Sequence, residues 1–197
     1  MFSPRNLAFL GSLAVGLAAD QLTKGWVVRN LEYMVDEVVI VPGWFSLVHA
    51  QNTGAAFSTM EGQRGLFLVF TLVAVVVVGD LVRRQPADQR AIPAILGVIL
   101  SGALGNGIDR LFLGHVTDFL KVFAGHEPLK SWFVQSRFHT NVWPIFNVAD
   151  SLLLCGVAAF GAYWLFQRDG EVEDGEVDDR AVEGAAAPAD PAPGEAR

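Results

Sequence analysis

Two short acidic motifs in the 197-residue chain carry the residue types needed for proton-transfer chemistry. The stretch Ser101 to Phe119, SGALGNGIDRLFLGHVTDF, places Asn106, Asp109, Arg110 and Asp118 directly after an apolar run, and FNVADS, Phe146 to Ser151, opens the next run with Asn147 and Asp150. Ionisable groups are costly beside a membrane-like segment, so they are functional candidates by default. Two aspartates held close in a partly desolvated site cannot comfortably both ionise, and they share one proton. The ionised member takes a proton from water while the protonated one polarises a peptide carbonyl, and the roles then reverse. On this reading Asp118 and Asp150 are a catalytic pair that needs no metal, cofactor or covalent intermediate. Arg110 holds local charge or a backbone element, and Asn52, Asn106 and Asn147 hydrogen-bond the substrate or orient the acids.

The elements that must position such a pair are membrane spans. A chain that is 52% hydrophobic, with mean hydropathy +0.37, is too apolar for an ordinary soluble domain unless its apolar residues cluster. They cluster into four runs, predicted as helices over about 7–28, 66–82, 91–107 and 145–167. The first is roughly 33 Å long at about 1.5 Å per residue, enough for a hydrocarbon core of about 30 Å. It resembles a signal peptide, with Arg5 before an apolar core, but no polar domain follows and retention is expected. Asp20 and Lys24 share a face of it at i,i+4, either as a structural ion pair with Lys24 reaching for the interface or as participants in the site. Asn106 on the third run lies at a matching depth, about 21 Å from Ile92 against about 20 Å for Asp20 from Leu7, which predicts one polar layer. A helix continuous from Ile92 to Asp118 would be about 39 Å long, so Asp118 belongs past the helix end near the far interface. Pro144 just before the fourth run marks a helix start and sets Asp150 near its N-terminus, on the side of Asp118.

Between the spans, residues 30–64 and 110–144 form two segments outside the bilayer. VVIVP, Val38 to Pro42, and WFSLVHA, Trp44 to Ala50, read as short strands broken at Pro42-Gly43. They lead into QNTGAAFS, Gln51 to Ser58, where Asn52 and Gly54 allow close backbone approach and hydrogen bonding to a peptide, or make an ordinary turn. Trp132, Phe133, Phe138 and Trp143 suit a bilayer interface. The connection RRQPADQR, Arg83 to Arg90, reads as cytoplasmic by its three arginines, which places both termini in the cytoplasm. Asp80 pairs with Arg84 and takes no catalytic role.

Charge excludes further classes. The net charge of −7 comes from residues 169–197, where ten acids meet two arginines, so the body is near neutral and offers no nucleic-acid surface. That acidic tail is expected to be disordered. The single Cys155 excludes an intrachain disulfide and reads as a packing residue. His49, His115, His126 and His139 lack metal-ligand spacing and are expected at the surface or the bilayer interface. A serine peptidase using Ser58 or Ser151 with Lys24 needs a neutral lysine, which Asp20 opposes. A proton-coupled transporter would also bury carboxylates, but the chain lacks an internal repeat.

The ordered set DQLTK (Asp20 to Lys24), NTGAAF (Asn52 to Phe57), GALGNGIDR (Gly102 to Arg110), VTDF (Val116 to Phe119) and FNVADS resembles the bacterial lipoprotein signal peptidase family, signal peptidase II, over roughly residues 7–167. Five motifs in order make the resemblance specific. It implies an all-α membrane fold of four transmembrane helices with a small extracytoplasmic β cradle, in the bacterial inner membrane, with the active site near the periplasmic face. It implies an aspartic endopeptidase that cuts prolipoproteins before a diacylglyceryl-modified cysteine, contacts membrane lipid and is blocked by globomycin-type inhibitors. Asp118 and Asp150 fall on the catalytic dyad; Asp20, Lys24, Asn52, Gly54, Asn106, Arg110 and Asn147 fall on the family's other motif positions. The separation of Asp118 from Asp150 is longer than the family pattern, with the extra length around Gly125 to Thr140.

Overall fold

A computed structural model describes residues 3–54, 64–127, 129–135 and 141–185. The chain divides into two compact units, Met1–Ala158 and Ala159–Arg197. The first holds α1 (Pro4–Asn30), β1 (Glu37–Val41), β2 (Phe45–Asn52), α2 (Arg64–Arg84), α3 (Ala91–Phe112), β3 (Val116–Val122), α4 (Leu129–Gln135) and the start of α5 (Val148–Ala185). Three helices are long and apolar enough to cross a membrane: α2, α3 and Val148–Phe166 of α5. At 27 residues α1 is longer than α2 or α3, but Asp20, Gln21 and Lys24 interrupt its apolar run.

Small residues bring α1, α3 and α5 together. A side chain at Gly97 would strike Ser12 and the Phe9 carbonyl of α1, and one at Gly102 the Ala149 carbonyl of α5. Ser101 meets Gly16 in the same manner. The Gly- and Ser-rich composition of the third run thus does what such residues do in membranes, letting backbones approach closely.

The β-branched residues of β1 and the alternating apolar residues of β2 form an antiparallel hairpin, and β3 completes a three-stranded sheet in the order β1-β2-β3. Gly43 turns the hairpin at φ +80°, a conformation that costs glycine little. Leu47 pairs with Leu120 but Ala50 pairs with Asp118, so β2 carries one extra residue, a bulge, just before the level of Asp118. On the open edge of β3, Leu120 bridges Phe146, with N–H···O bonds of 2.8 and 3.2 Å running both ways. That bridge lays FNVADS alongside β3. Val27, Leu31 and Phe119 form a buried cluster with Leu47, Leu120 and Val148 packed against it, so α1, the sheet and the start of α5 close on one core. Burying each such side chain stabilises by roughly 1.5–3 kcal/mol.

Several expectations change here. The fourth helix starts at Val148, not near 145, because Asn147 takes the N-cap: its Oδ1 accepts the Asp150 N–H at 3.0 Å, while the Asp150 carboxylate accepts the Asn147 N–H at 3.1 Å. This is a capping box, with Asp in the place usually held by Glu or Gln. The segment expected over 110–144 contains β3 and the short α4. His49 is buried rather than at a surface, its Nδ1 within 3.0 Å of the Leu31 carbonyl oxygen and its ring edge-to-face with Tyr33. Cys155 is exposed rather than packed inside. Strands expected at 38–42 and 44–50 are β1 and β2, and Asp80 pairs with Arg84 at 2.6 Å.

The second unit carries the rest of α5, helical to Ala185, with the rings of Phe160 and Trp164 edge-to-face at 6.4 Å. Its helix enters the acidic stretch expected to be disordered from 169; extending a helix already nucleated needs only local bonds. Residues 186–197 lie outside the described residues, as do Phe138 and His139 of the interfacial loop and Ala55 to Ser58 of QNTGAAFS.

Candidate active site

Three chain segments bring the two aspartates together. Asp118 sits in β3, buried and opposite Ala50 of β2, and Asp150 sits in the first turn of α5. The Leu120–Phe146 bridge sets the distance between their backbones.

Every oxygen of the two carboxylates has one N–H donor. Asp118 Oδ2 accepts from Asn52 Nδ2 at 3.0 Å and its Oδ1 from Asn147 Nδ2 at 2.7 Å. Asp150 Oδ1 accepts from Asn106 Nδ2 at 2.7 Å and its Oδ2 from the Asn147 N–H. Each asparagine is fixed the right way round by a donor on its own oxygen. Gly54 N–H donates to Asn52 Oδ1 at 3.0 Å, Lys24 Nζ to Asn106 Oδ1 at 2.9 Å, and the Asp150 N–H to Asn147 Oδ1. An ammonium and backbone N–H groups cannot accept, so the amides cannot flip without facing donor to donor. Asn147 Nδ2 also reaches Asn106 Oδ1 at 3.1 Å.

Burial pushes the Asp118 carboxyl up to about 7, and the neighbouring Asp150 charge pushes in the same direction. The amides of Asn52 and Asn147 and the Lys24 charge pull it back only in part. One proton is therefore held at this pair near neutral pH, as acid–base work by two carboxyls requires.

Beneath the pair, Lys24 contacts Asp20 at 2.9 Å and Asp109 at 3.2 Å, all three side chains at most 5% exposed. Lys24 is thus buried and does not reach for an interface. The matched depths of Asp20 and Asn106 form one layer, with Lys24 joining them. Arg110 lies over the Phe67 ring at 4.2 Å and donates to the carbonyls of Asn106 and Gly54 at 3.4 Å. It anchors the chain at Gly54 to α3.

All nine sequence-derived site residues, Asp20, Lys24, Asn52, Gly54, Asn106, Arg110, Asp118, Asn147 and Asp150, fall in this one network. Two further members join it: Asp109, a functional candidate from its sequence, and Gln21, which is not. Asp109 accepts the Thr117 N–H at 3.0 Å, and Gln21 Nε2 lies within 3.0 Å of Asp20 and 3.3 Å of Asp109. Asp109 was visible in GNGIDR, one residue from Arg110; nothing in the sequence marks Gln21 apart from its place beside Asp20. The contacts do not pair Ser151 with Lys24: Ser151 Oγ donates to the Asn147 carbonyl, and Lys24 Nζ meets the carboxylates of Asp20 and Asp109. Ser58 lies outside the described residues.

Comparison with known proteins gives concordant results. A family model described as signal peptidase (SPase) II matches residues 12–166. The lipoprotein signal peptidase of Geobacter metallireducens is 41% identical over 148 residues, covering 74% of this chain and 82% of that protein. The lipoprotein signal peptidase of Latilactobacillus sakei is 39% identical over 141 residues, covering 72% of this chain and 82% of that protein. Among solved structures, a bacterial membrane enzyme matches with TM-score 0.67 at 22% identity, over 82% of this chain and 89% of its own.

Proposed function

The chain belongs to the signal peptidase II family, and from that membership we propose that it removes signal peptides from bacterial prolipoproteins as an aspartic endopeptidase. The observation that carries the mechanism is the full set of N–H donors on the two carboxylates, one for each oxygen. Such a set fixes both acids as acceptors toward the protein and leaves their remaining lone pairs for water and substrate.

In the proposed reaction a water between Asp118 and Asp150 gives a proton to the ionised member and attacks the scissile carbonyl. The protonated member donates to the carbonyl oxygen, and the proton gained from water then goes to the departing amine. Asn52, Asn106 and Asn147 keep the carboxyls oriented while charge moves between them. The substrate is a prolipoprotein with a diacylglyceryl cysteine, cut on the N-terminal side of that cysteine, and globomycin-type inhibitors occupy the same site. In this proposal α1 is a polar-lined fourth span, both termini lie in the cytoplasm of an inner-membrane protein and the pair lies near the periplasmic face. The basic Arg83–Arg90 connection, and the place of Asp118 in the strand that follows α3 and of Asp150 in the first turn of α5, support that orientation.

Purified protein in detergent should cut a diacylglyceryl prolipoprotein unaided, with globomycin abolishing the cut. Asp118→Asn and Asp150→Asn should each lower the rate by roughly 10²–10⁴-fold or more while the protein still inserts. Full activity in either variant removes the dyad; no cleavage by folded wild-type protein removes the substrate assignment.

A further inference from the structure

The dyad reading assigns tasks to the asparagines but leaves the buried ion triad beneath them without one. Two carboxylates, Asp20 and Asp109, share one ammonium, and each also accepts a backbone N–H. Asp20 Oδ1 accepts the N–H of Ala149 at 3.0 Å, and Asp109 Oδ2 accepts the N–H of Thr117 at 3.0 Å. Ala149 directly precedes Asp150, and Thr117 directly precedes Asp118. The two acids of the triad therefore grip the backbone one residue before each acid of the dyad. Lys24 joins the grips, and its contact to Asn106 Oδ1 continues through Asn106 Nδ2 to Asp150. Gln21 spans both grips from the side.

We infer that the Asp20–Lys24–Asp109 triad is the positioning centre of the aspartate pair: one ammonium sets the separation of the two catalytic carboxyls through the backbone N–H groups of Thr117 and Ala149. The inference rests on the dyad reading. Stability alone does not call for such a triad, because apolar packing of the same volume commonly stabilises a core as well or better. What apolar side chains cannot do is accept an N–H from β3 and another from α5 and tie both to one point. Gly105 fits the same purpose, since any side chain there would strike the Asp20 carboxylate. None of the three residues touches the four carboxylate oxygens of the dyad, so their role is in geometry, not in bond making.

The test uses the full-length protein in detergent and a diacylglyceryl prolipoprotein, with rates normalised to folded enzyme. Asp109→Glu keeps the charge and the ion pair but moves the carboxylate by one methylene, displacing β3. It should lower kcat about 100-fold with KM within about twofold of wild type. Asp80→Asn, which breaks the Asp80–Arg84 pair on α2, should leave both constants unchanged. A purely structural role would lower only the yield of folded protein, so a folded Asp109→Glu enzyme with wild-type kcat overturns the inference. If that variant does not accumulate, Lys24→Arg answers the same question: kcat loss at constant KM supports the triad, and wild-type kcat overturns it. Infrared spectroscopy gives a readout independent of turnover. The carboxyl C=O band that disappears in Asp118→Asn or Asp150→Asn should shift in Asp109→Glu, and an unshifted band overturns the positioning role even if no substrate is cut. Failure of folded wild-type protein to cleave, with the band shifted, overturns the substrate reading and leaves the triad standing.

Discussion

Two pairs in this chain, Asp80 with Arg84 and Asp20 with Lys24, each set an acid four residues before a base on one helix and have opposite fates. Asp80 and Arg84 on α2 meet at 2.6 Å with side chains 52% and 72% exposed; Asp20 and Lys24 on α1 meet at 2.9 Å with 0% and 4% exposed. Helical spacing makes both pairs, since residues four apart share a face. Only what packs over them separates an ordinary surface contact from the centre of a site. At Asp20 the cover is α3 and the start of α5, admitted by Gly102 and Gly105, and it adds Asp109, Asn106 and the Ala149 N–H as partners. Among the described residues nothing comparable covers Asp80, and the pair remains an exposed contact.

The sharpest way to break this contrast is to remove one base from each pair. Lys24→Met leaves Asp20 and Asp109 buried without their cation, which should destabilise by about 3–5 kcal/mol. Thermal unfolding in detergent reads this, and a melting temperature equal to wild type would sink the claim that the layer is tightly coupled. Smaller in stability is the effect expected for Asn147→Ser. Serine keeps the N-cap of α5 but leaves the buried Asp118 carboxylate short of one donor, so stability should fall by about 1–3 kcal/mol. It loses the amide on Asp118, and cleavage should fall by one to two orders of magnitude, about the share of a positioning hydrogen bond to a charged group. An unchanged rate in the folded variant would show that Asn147 is only a cap.

A pH profile sharpens the contrast further. Asp118, pushed up to about 7 by burial and then by Asp150, holds the shared proton to near neutral pH. Cleavage should fall as pH rises past 7, by about tenfold per unit once the pair is fully ionised. The folded state also keeps a proton that an unfolded aspartate loses near its ordinary value of about 4, so stability declines as pH rises from about 4 to 7. Because the Lys24 charge pulls the Asp118 value down, any Lys24→Met protein that folds should lose activity at higher pH than wild type. Arg84→Met, the smallest change, should move neither this limb nor the melting temperature.

The apolar runs, the β-branched strands and the paired acids were legible because each is a local pattern in the chain. Beyond them, β3 was not read as a strand. VTDFLKV lacks alternation and carries Asp118 and Lys121, and it is extended because β2 and Phe146 supply its partners from either side. The start of α5 was misplaced for a different reason. Pro144 marks a boundary, but the N-x-x-D spacing of Asn147 and Asp150 is the stronger signal, carried by the same two residues that carry the chemistry. Asp109 and Gln21 owe their place to contacts of 88 and 8 residues' separation, and the backbone N–H of Thr117 has no sequence signature at all.

The long segment that follows Asp118 leaves and returns through neighbouring positions. Phe123 bridges Val142, the Ala124 N–H donates to the Asn141 carbonyl at 2.8 Å, and Asn141 Nδ2 donates back to the Ala124 carbonyl at 3.2 Å. Clamped at Ala124 and Asn141, with the Gly125 N–H on the Gly43 carbonyl, this stem ties the return path toward Asp150 to the same sheet that holds Asp118, so a change at the clamp is felt on both sides of the pair.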